Sequence, residues 1–440
     1  MHSGLPYQQV TAATLGCVLT LAASCHIVAA LEDHEPMPSP TDAEAADAPA
    51  EPKDAEAFSS PETVCNHADD DGDGLVDDGL AWQVAGWQTL LKQAELSEIT
   101  SVSLPAGRAA FATRTAPAHG TSSLLLGVVD ETGSLCGEIV PAVENVGIEG
   151  WGLAFDTAHQ QLILAFVESS HRELHLARFH LDEPTPRLIS TEAVALEYPV
   201  SELLDVGWTE FGPVVLVKGT DHYARAEWTD HLNDPKDWNH KLISIKPDVA
   251  KLSVGTAVAW VASGTLDAGQ QGVMGGVLAL DGRRELRPGH QLVKAGGGVW
   301  PKIFAPGIPL LWQQNRVWLT TTDEVKASKI WNIRISFFDS TAPASTLASP
   351  GTMVDSLSTD PMHAHSLVWA LGSVLSTTAA KDQVRIHRLG PHFELLSPKD
   401  QPIVVDDALA HAIVGGTRLP LLFRIHQSTG ELDVSPVGCP

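Results

Sequence analysis

The stretch "GLAFDTAHQQLILAFVES", residues 152–169, decides the fold. Two apolar runs of strand length flank "DTAHQQ", a set of residues that breaks a strand and turns the chain. "LLLGVVDETGSLCGEIV" at 124–140 and "ELHLARFHLD" at 173–182 are built the same way, apolar or alternating and cut by turn residues at close intervals. No long stretch has a helical period, apart from "WQTLLKQAEL" at 87–96, which reads as a short helix. Beyond residue 80 the chain is expected to be all-β.

Working outward, Trp151, Trp208, Trp260, Trp312 and Trp369 follow one another at intervals of 57, 52, 52 and 57 residues. Each sits in an apolar run that a turn separates from a second run. A period of roughly 40 to 55 residues with about four short strands per unit is that of a β-propeller. Residues 81–440 form that domain, with room for six or seven units from residue 95 onward. Seven are expected, the last, "AHAIVGGTRLPLLFRIHQSTGELDVSPVGC" at 410–439, closing against the first. The resemblance is to propeller architecture alone, since WD40 and kelch signatures and integrin-type calcium loops are missing from the repeats. The tryptophans are expected to pack between blades, where a large aromatic contributes buried area; stacking on a carbohydrate is the other reading.

The 440-residue chain is 44% hydrophobic, enough for a sizeable core. Its net charge of -26 is concentrated: residues 31–79 carry sixteen acidic side chains against one base, Lys53, and so hold fifteen of those charges. There is no basic patch to neutralise phosphates, so nucleic acid is not an expected partner. Residues 31–61, rich in Ala, Pro, Glu and Asp, cannot bury enough surface to offset their ordering entropy. They read as a disordered, charge-extended tether, either a spacer or a plain low-complexity leader.

Residues 1–30 read as an export signal. No residue from Val10 to Leu31 carries a full charge, and small residues follow the apolar run. "LAASC", ending at Cys25, resembles the bacterial lipobox, whose cysteine is acylated and becomes the mature N-terminus. The sequence departs from it in lacking Lys or Arg ahead of the apolar run and in having Ala22 where Leu is commoner. Cleavage after Ala30 and an uncleaved anchor are the competing readings. All three place the chain outside the cytoplasm, as a secreted or surface lipoprotein attached to the membrane through lipid if Cys25 is acylated. Cys65, Cys136 and Cys439 would then lie where disulfides persist. A bond from Cys65 to Cys439, joining the two ends of a closed ring, is the first expectation, and Cys136 with Cys439 the second.

Residues 62–80 contain "CNHADDDGDGLVDDG", with Asp69, Asp71 and Asp73 at alternate positions, Gly74 next and Asp77 four beyond Asp73. Hard cations take six to eight oxygens, and a loop supplies them through alternating carboxylates and a glycine at the sharp turn. Counting from Asp69, the backbone carbonyl of Leu75 falls at the seventh position and Asp77 at the ninth, while Leu80 stands where an EF-hand has its bidentate Glu. The stretch resembles instead the calcium loops of thrombospondin type-3 and dockerin repeats. It is also similar to the short Cys/Asp-rich metal-binding motif of bacterial surface proteins, through Cys65, Asn66, Asp69, Asp70, Asp71, Asp73, Gly74, Asp77, Asp78 and Gly79. His67 and Gly72 depart from that motif, and the cysteine missing at 72 frees Cys65 for a distant partner. The resemblance implies a weak structural calcium site; a solvated acidic turn is the alternative.

No nucleophile elbow, zinc-helix, P-loop or dinucleotide-binding signature occurs. His363 and His365 in "PMHAHS" would share one face if this stretch is a strand, but a third metal ligand is not identifiable. His222, His231 and His240, with Asp221, Asp230 and Asp234, lie in a stretch read as solvated loop. Gly296, Gly297 and Gly298 read as a turn between blades. The expectation is a monomeric surface protein whose propeller binds a protein or glycan, with calcium at its base. The alternative is an extracellular hydrolase or lyase with its site at the propeller channel.

Overall fold

A computed structural model describes residues 80–439 except 93–94, 171, 182–183, 195, 230–238, 267–268, 270, 281–284, 294–309, 314–315, 326–329, 340–351, 358–365, 381, 391–394, 397–400 and 416–417. Within it, Ile148–Asp156 and Gln161–Glu168 pair as an antiparallel hairpin, with Asp156 opposite Gln161. The Asp156 carboxylate closes the turn, accepting from the N–H groups of Ala158 at 2.9 Å and His159 at 3.1 Å and from His159 Nδ1 at 2.7 Å.

The run "QLILAFVE" is apolar throughout because both of its faces are buried. Leu162, Leu164 and Phe166 pack toward the preceding sheet, while Ile163, Ala165 and Val167 pack toward the following one. A sheet covered on both sides is one layer of a stack. Seven such sheets stack here, giving an all-β propeller with no helix among the described residues.

Blades 1 to 6 cover residues 96–146, 148–194, 200–243, 245–293, 310–357 and 366–406, each an antiparallel sheet of four consecutive strands. The first strands of successive blades approach one another all the way round, and that of blade 7, Ala408–Val414, meets that of blade 1, Leu96–Ser103. Seven hydrophobic clusters fill the seven blade interfaces, each drawing residues from two neighbours. The core is therefore a ring of interfaces instead of a single centre.

Blade 7 closes the ring with strands from both ends of the domain. Ala408–Val414, Leu421–His426 and Leu432–Gly438 take their outer partners from Gln83–Val84 and Gln88–Leu91. Gln83 pairs with Gly438, Val84 with Val437 and Gln88 with Val434. This corrects the expected helix at 87–96: Gln88–Leu91 is strand, and Leu96 opens the first strand of blade 1. Leu90 and Leu91 lie against the cluster between blades 7 and 1, and a strand edge supplies hydrogen bonds that a short isolated helix would lack. The units also begin before residue 95, since the N-terminal strands belong to the last blade.

Trp260 is fully buried between blades 3 and 4, while Trp151, Trp208 and Trp369 are half-buried against the interfaces of blades 1 and 2, 2 and 3, and 5 and 6. The spacing mixes strand positions: Trp260 is on the second strand of its blade, and the other four are on first strands. Gly150 shows how tightly first strands approach. Its φ of 83° suits glycine, and a Cβ there would run into the carbonyl oxygen of Leu203 in blade 3.

Cys439 is disulfide-bonded and Cys136 carries a free thiol, so the pairing of those two is not made. Cys65 lies outside the described residues, as do Cys25, the tether and the loop with Asp69, Asp71, Asp73, Leu75 and Asp77.

Candidate functional site

Where the N-terminal strands join blade 7, they leave a cleft of about 660 Å³ against the outer strand of blade 6, Ile403–Asp406. Trp82, Trp87, Val84 and Ile403 give it apolar wall; Asp406, Asp407, Arg424 and His426 give it polar wall. Trp82 and Trp87 flank Gln83–Val84 and pack against the cluster between blades 6 and 7. Each also carries a guanidinium, that of Arg388 lying 4.1 Å from the Trp82 ring centre and that of Arg424 4.0 Å from Trp87.

Asp407 is the single residue between blades 6 and 7 and adopts φ 58°, a conformation that non-glycine residues rarely take. The bend carries its carboxylate to the cleft, where Oδ2 accepts from His426 Nδ1 at 3.0 Å and from the Ser428 hydroxyl at 2.5 Å. Hydrogen bonds from Ser428 and then His426 hold its carboxyl down to about 2. Asp406 accepts from Gln383 Nε2 at 2.9 Å.

His426 donates its other nitrogen, Nε2, to Asp433 Oδ2 at 2.6 Å, and Arg424 Nη2 reaches the same oxygen at 3.3 Å. Burial pulls the imidazole toward neutrality, but bonds to Asp407 and Asp433 outweigh it and hold its pKa above the ordinary value. Asp433 is buried, which would raise its pKa, yet bonds from His426, Thr89 and Arg424 bring it below the usual carboxylate range. With Nδ1 on Asp407 and Nε2 on Asp433, neither ring nitrogen of His426 is left open to the cleft. The arrangement can donate and accept hydrogen bonds through Asp406, Asp407 and Arg424.

A second, smaller cavity of about 250 Å³ lies between blades 2 and 3, lined by Glu149, Arg172, Ser201, Thr220 and His222 among others. Here His222 has φ 71°, and Asp221 is occupied by Arg225 Nη1 at 2.8 Å. Of the other residues singled out in the sequence, Asp230, His231, Asp234, His363, His365 and Gly296 to Gly298 lie outside the described residues. His240 is in the outer strand of blade 3, Asn239–Ile243. Among the described residues, no group of three or more His, Cys, Asp or Glu is placed to hold a metal ion. The sequence reading overlooked the cleft, although "AWQVAGWQ" at 81–88 and the adjacent acids of "VVDD" at 404–407 are visible signals once their strands are known to meet.

No protein-family model matches the chain, and neither does any curated protein. Solved structures do match it. A protein of unknown function from Dyadobacter fermentans has TM-score 0.45 and 10% identity, over 82% of this chain and 99% of that one. The Dos1 propeller has TM-score 0.43 and 7% identity, over 81% and 95%. The core factor of S. cerevisiae has TM-score 0.50 and 9% identity, over 83% of this chain and 62% of that one. Of these three, the last supports the fold, and at 9% identity it supports nothing finer.

Proposed function

We propose that the chain is a secreted or lipid-anchored bacterial surface protein whose propeller binds a partner, protein or glycan, through the cleft at the ring-closing seam. The cleft itself carries this reading. Its volume is in the range of ligand sites, and it combines aromatic wall with convergent, fixed polar groups. Cys25 would provide the lipid attachment, residues 31–61 the spacer, and Asp69, Asp71, Asp73 and Asp77 with the Leu75 carbonyl a calcium clasp just ahead of Trp82. A Cys65–Cys439 bond would fasten that clasp to blade 7. Both ring nitrogens of His426 are engaged by carboxylates, Asp407 and Asp433, so the imidazole serves to position groups in the cleft.

The test is sedimentation of the full chain with purified cell envelopes, in parallel with Trp87→Ala. Saturable binding that the variant weakens about tenfold is expected. Binding unaltered in the variant would remove the cleft from the function, and no binding at all would remove the partner.

A further inference from the structure

The cleft has a chemistry more specific than partner binding, and the inference drawn from it rests on that reading. Trp82 and Trp87 line the cleft beside hydrogen-bonding groups, and a guanidinium over each ring, 4.1 and 4.0 Å from its centre, fixes the indoles in place. The two carboxylates that line the cleft, Asp406 and Asp407, stand against Arg424 and His426, with the imidazole bridging Asp407 and Asp433 and the guanidinium reaching Asp433. The groups therefore cancel one another as charges while remaining strong donors and acceptors.

Such a cleft has little to offer an ion. It suits a neutral molecule with an apolar face and an edge of closely spaced hydroxyls, since hydroxyls both donate and accept. The exposed Asp406 and partly exposed Asp407 can accept from adjacent hydroxyls, and the buried Nε of Arg424 has no acceptor within the protein. Asp407 is held in its left-handed conformation by four bonds, from His426 Nδ1, the Ser428 hydroxyl and the backbone N–H groups of Gln427 (to its carbonyl) and Ser428. That acceptor is preorganised, so little ordering cost is added on binding. A volume of about 660 Å³ accommodates a few pyranose rings and is open to a longer chain.

We infer that the cleft bounded by Trp82, Trp87, Asp406, Asp407 and Arg424 is a subsite for a neutral carbohydrate, with pyranose faces on the indoles and hydroxyls on the aspartates.

Calorimetric titration of the full chain with cellohexaose, xylohexaose, maltohexaose and chitohexaose, each to about 5 mM, tests this. Saturable binding of at least one is expected, weakened about tenfold by Trp87→Ala and severalfold by Asp406→Asn. Asp406 is exposed and its amide can still accept from Gln383, so this second variant keeps the measurement interpretable if Trp87→Ala unfolds. Oligogalacturonate binding more tightly than every neutral hexasaccharide would overturn the neutrality argument. If no sugar binds but a peptide library yields ligands that Trp87→Ala loses, the carbohydrate assignment fails while the partner-binding reading stands. If neither sugars nor peptides bind, both fail.

Discussion

Glu227, on the third strand of blade 3, is buried and accepts a hydrogen bond from the Tyr198 hydroxyl. Desolvation raises its pKa to about 8 against the opposing pull of Tyr198 and Arg225, and the same burial pushes the Tyr198 hydroxyl up. The sign follows from linkage. The folded chain keeps a proton that the unfolded chain releases near pH 4.5, so the contribution of Glu227 to stability falls as pH rises from about 4.5 to 8 and changes no further above that. Glu227→Gln keeps an acceptor for Tyr198 without the charge. It is expected to flatten that decline and to exceed the parent at pH 9 by an amount on the order of a few kcal/mol, measured by denaturant melts. Parallel pH profiles for variant and parent would show that the proton is not there. Nothing in the sequence marks Glu227 as buried, because "ARAEW" sits in the mixed-charge stretch read as solvated loop, and the structure corrects that reading: Ala224–Trp228 is a largely buried strand. Its inward direction is a fact of blade stacking, which places both strand faces in a core.

Two elements decide how the ring closes, and they differ in legibility. The runs "QLILAFVE" and "VAWVASG" announce strands buried on both faces, because no polar period interrupts them. Gln88–Leu91 announces nothing. Four residues with two leucines fit a helix turn or a strand edge equally, and only the exposed rim of Leu432–Gly438 selects the second. The same ambiguity hid the cleft, since Trp82 and Trp87 meet Asp407 and Arg424 across more than 300 residues of chain. The latch is held by side chains as well as by its ladder. Thr89 on the N-terminal strand bonds Asp433, which bonds His426, which bonds Asp407. His426 has a raised pKa, so its contribution is fully present below about pH 6.5 and is lost as pH rises through the raised folded value. Asp433 and Asp407 have lowered pKa values, so theirs is present above about pH 4 and is lost as pH falls through the depressed ones. The latch is therefore firmest between about pH 4 and 6.5. Hydrogen exchange of residues 83–91 is expected, after correction for the intrinsic rate, to be faster at pH 8.5 than at pH 5.5. His426→Gln should largely remove the difference, while blade 2 amides serve as the internal reference. Equal protection at both pH values in the parent chain would show that the ladder alone holds the latch.

At the scale of the whole molecule, the ring is closed by strands that lie directly after the aspartate loop, and this ties the two most legible features of the sequence together. Seven blades could be read from a repeating length; that the chain's first strands complete the last blade could not, because strand pairing across the domain leaves no local pattern. Gln83 pairs with Gly438, the residue before the disulfide-bonded Cys439. If Cys65 is the partner, as we propose, the loop is pinned at both ends, by that bond and by the latch. Pinning lowers the entropy that calcium binding must remove, and it adds the loop-closure effect of a bond joining the ends of the domain. Three outcomes are expected together. Calcium raises the melting temperature, with an affinity on the order of 10⁻⁴ to 10⁻³ M, and Asp71→Ala with Asp73→Ala abolishes the rise. Cys439→Ser lowers the melting temperature by about 4 °C. The same variant weakens calcium binding severalfold, because the loop has lost one anchor. Peptide mapping that joins Cys439 to Cys17 or Cys25 would break the argument at the covalent link. A calcium affinity indifferent to Cys439→Ser would break it at the coupling, leaving a loop that binds its ion independently of the ring.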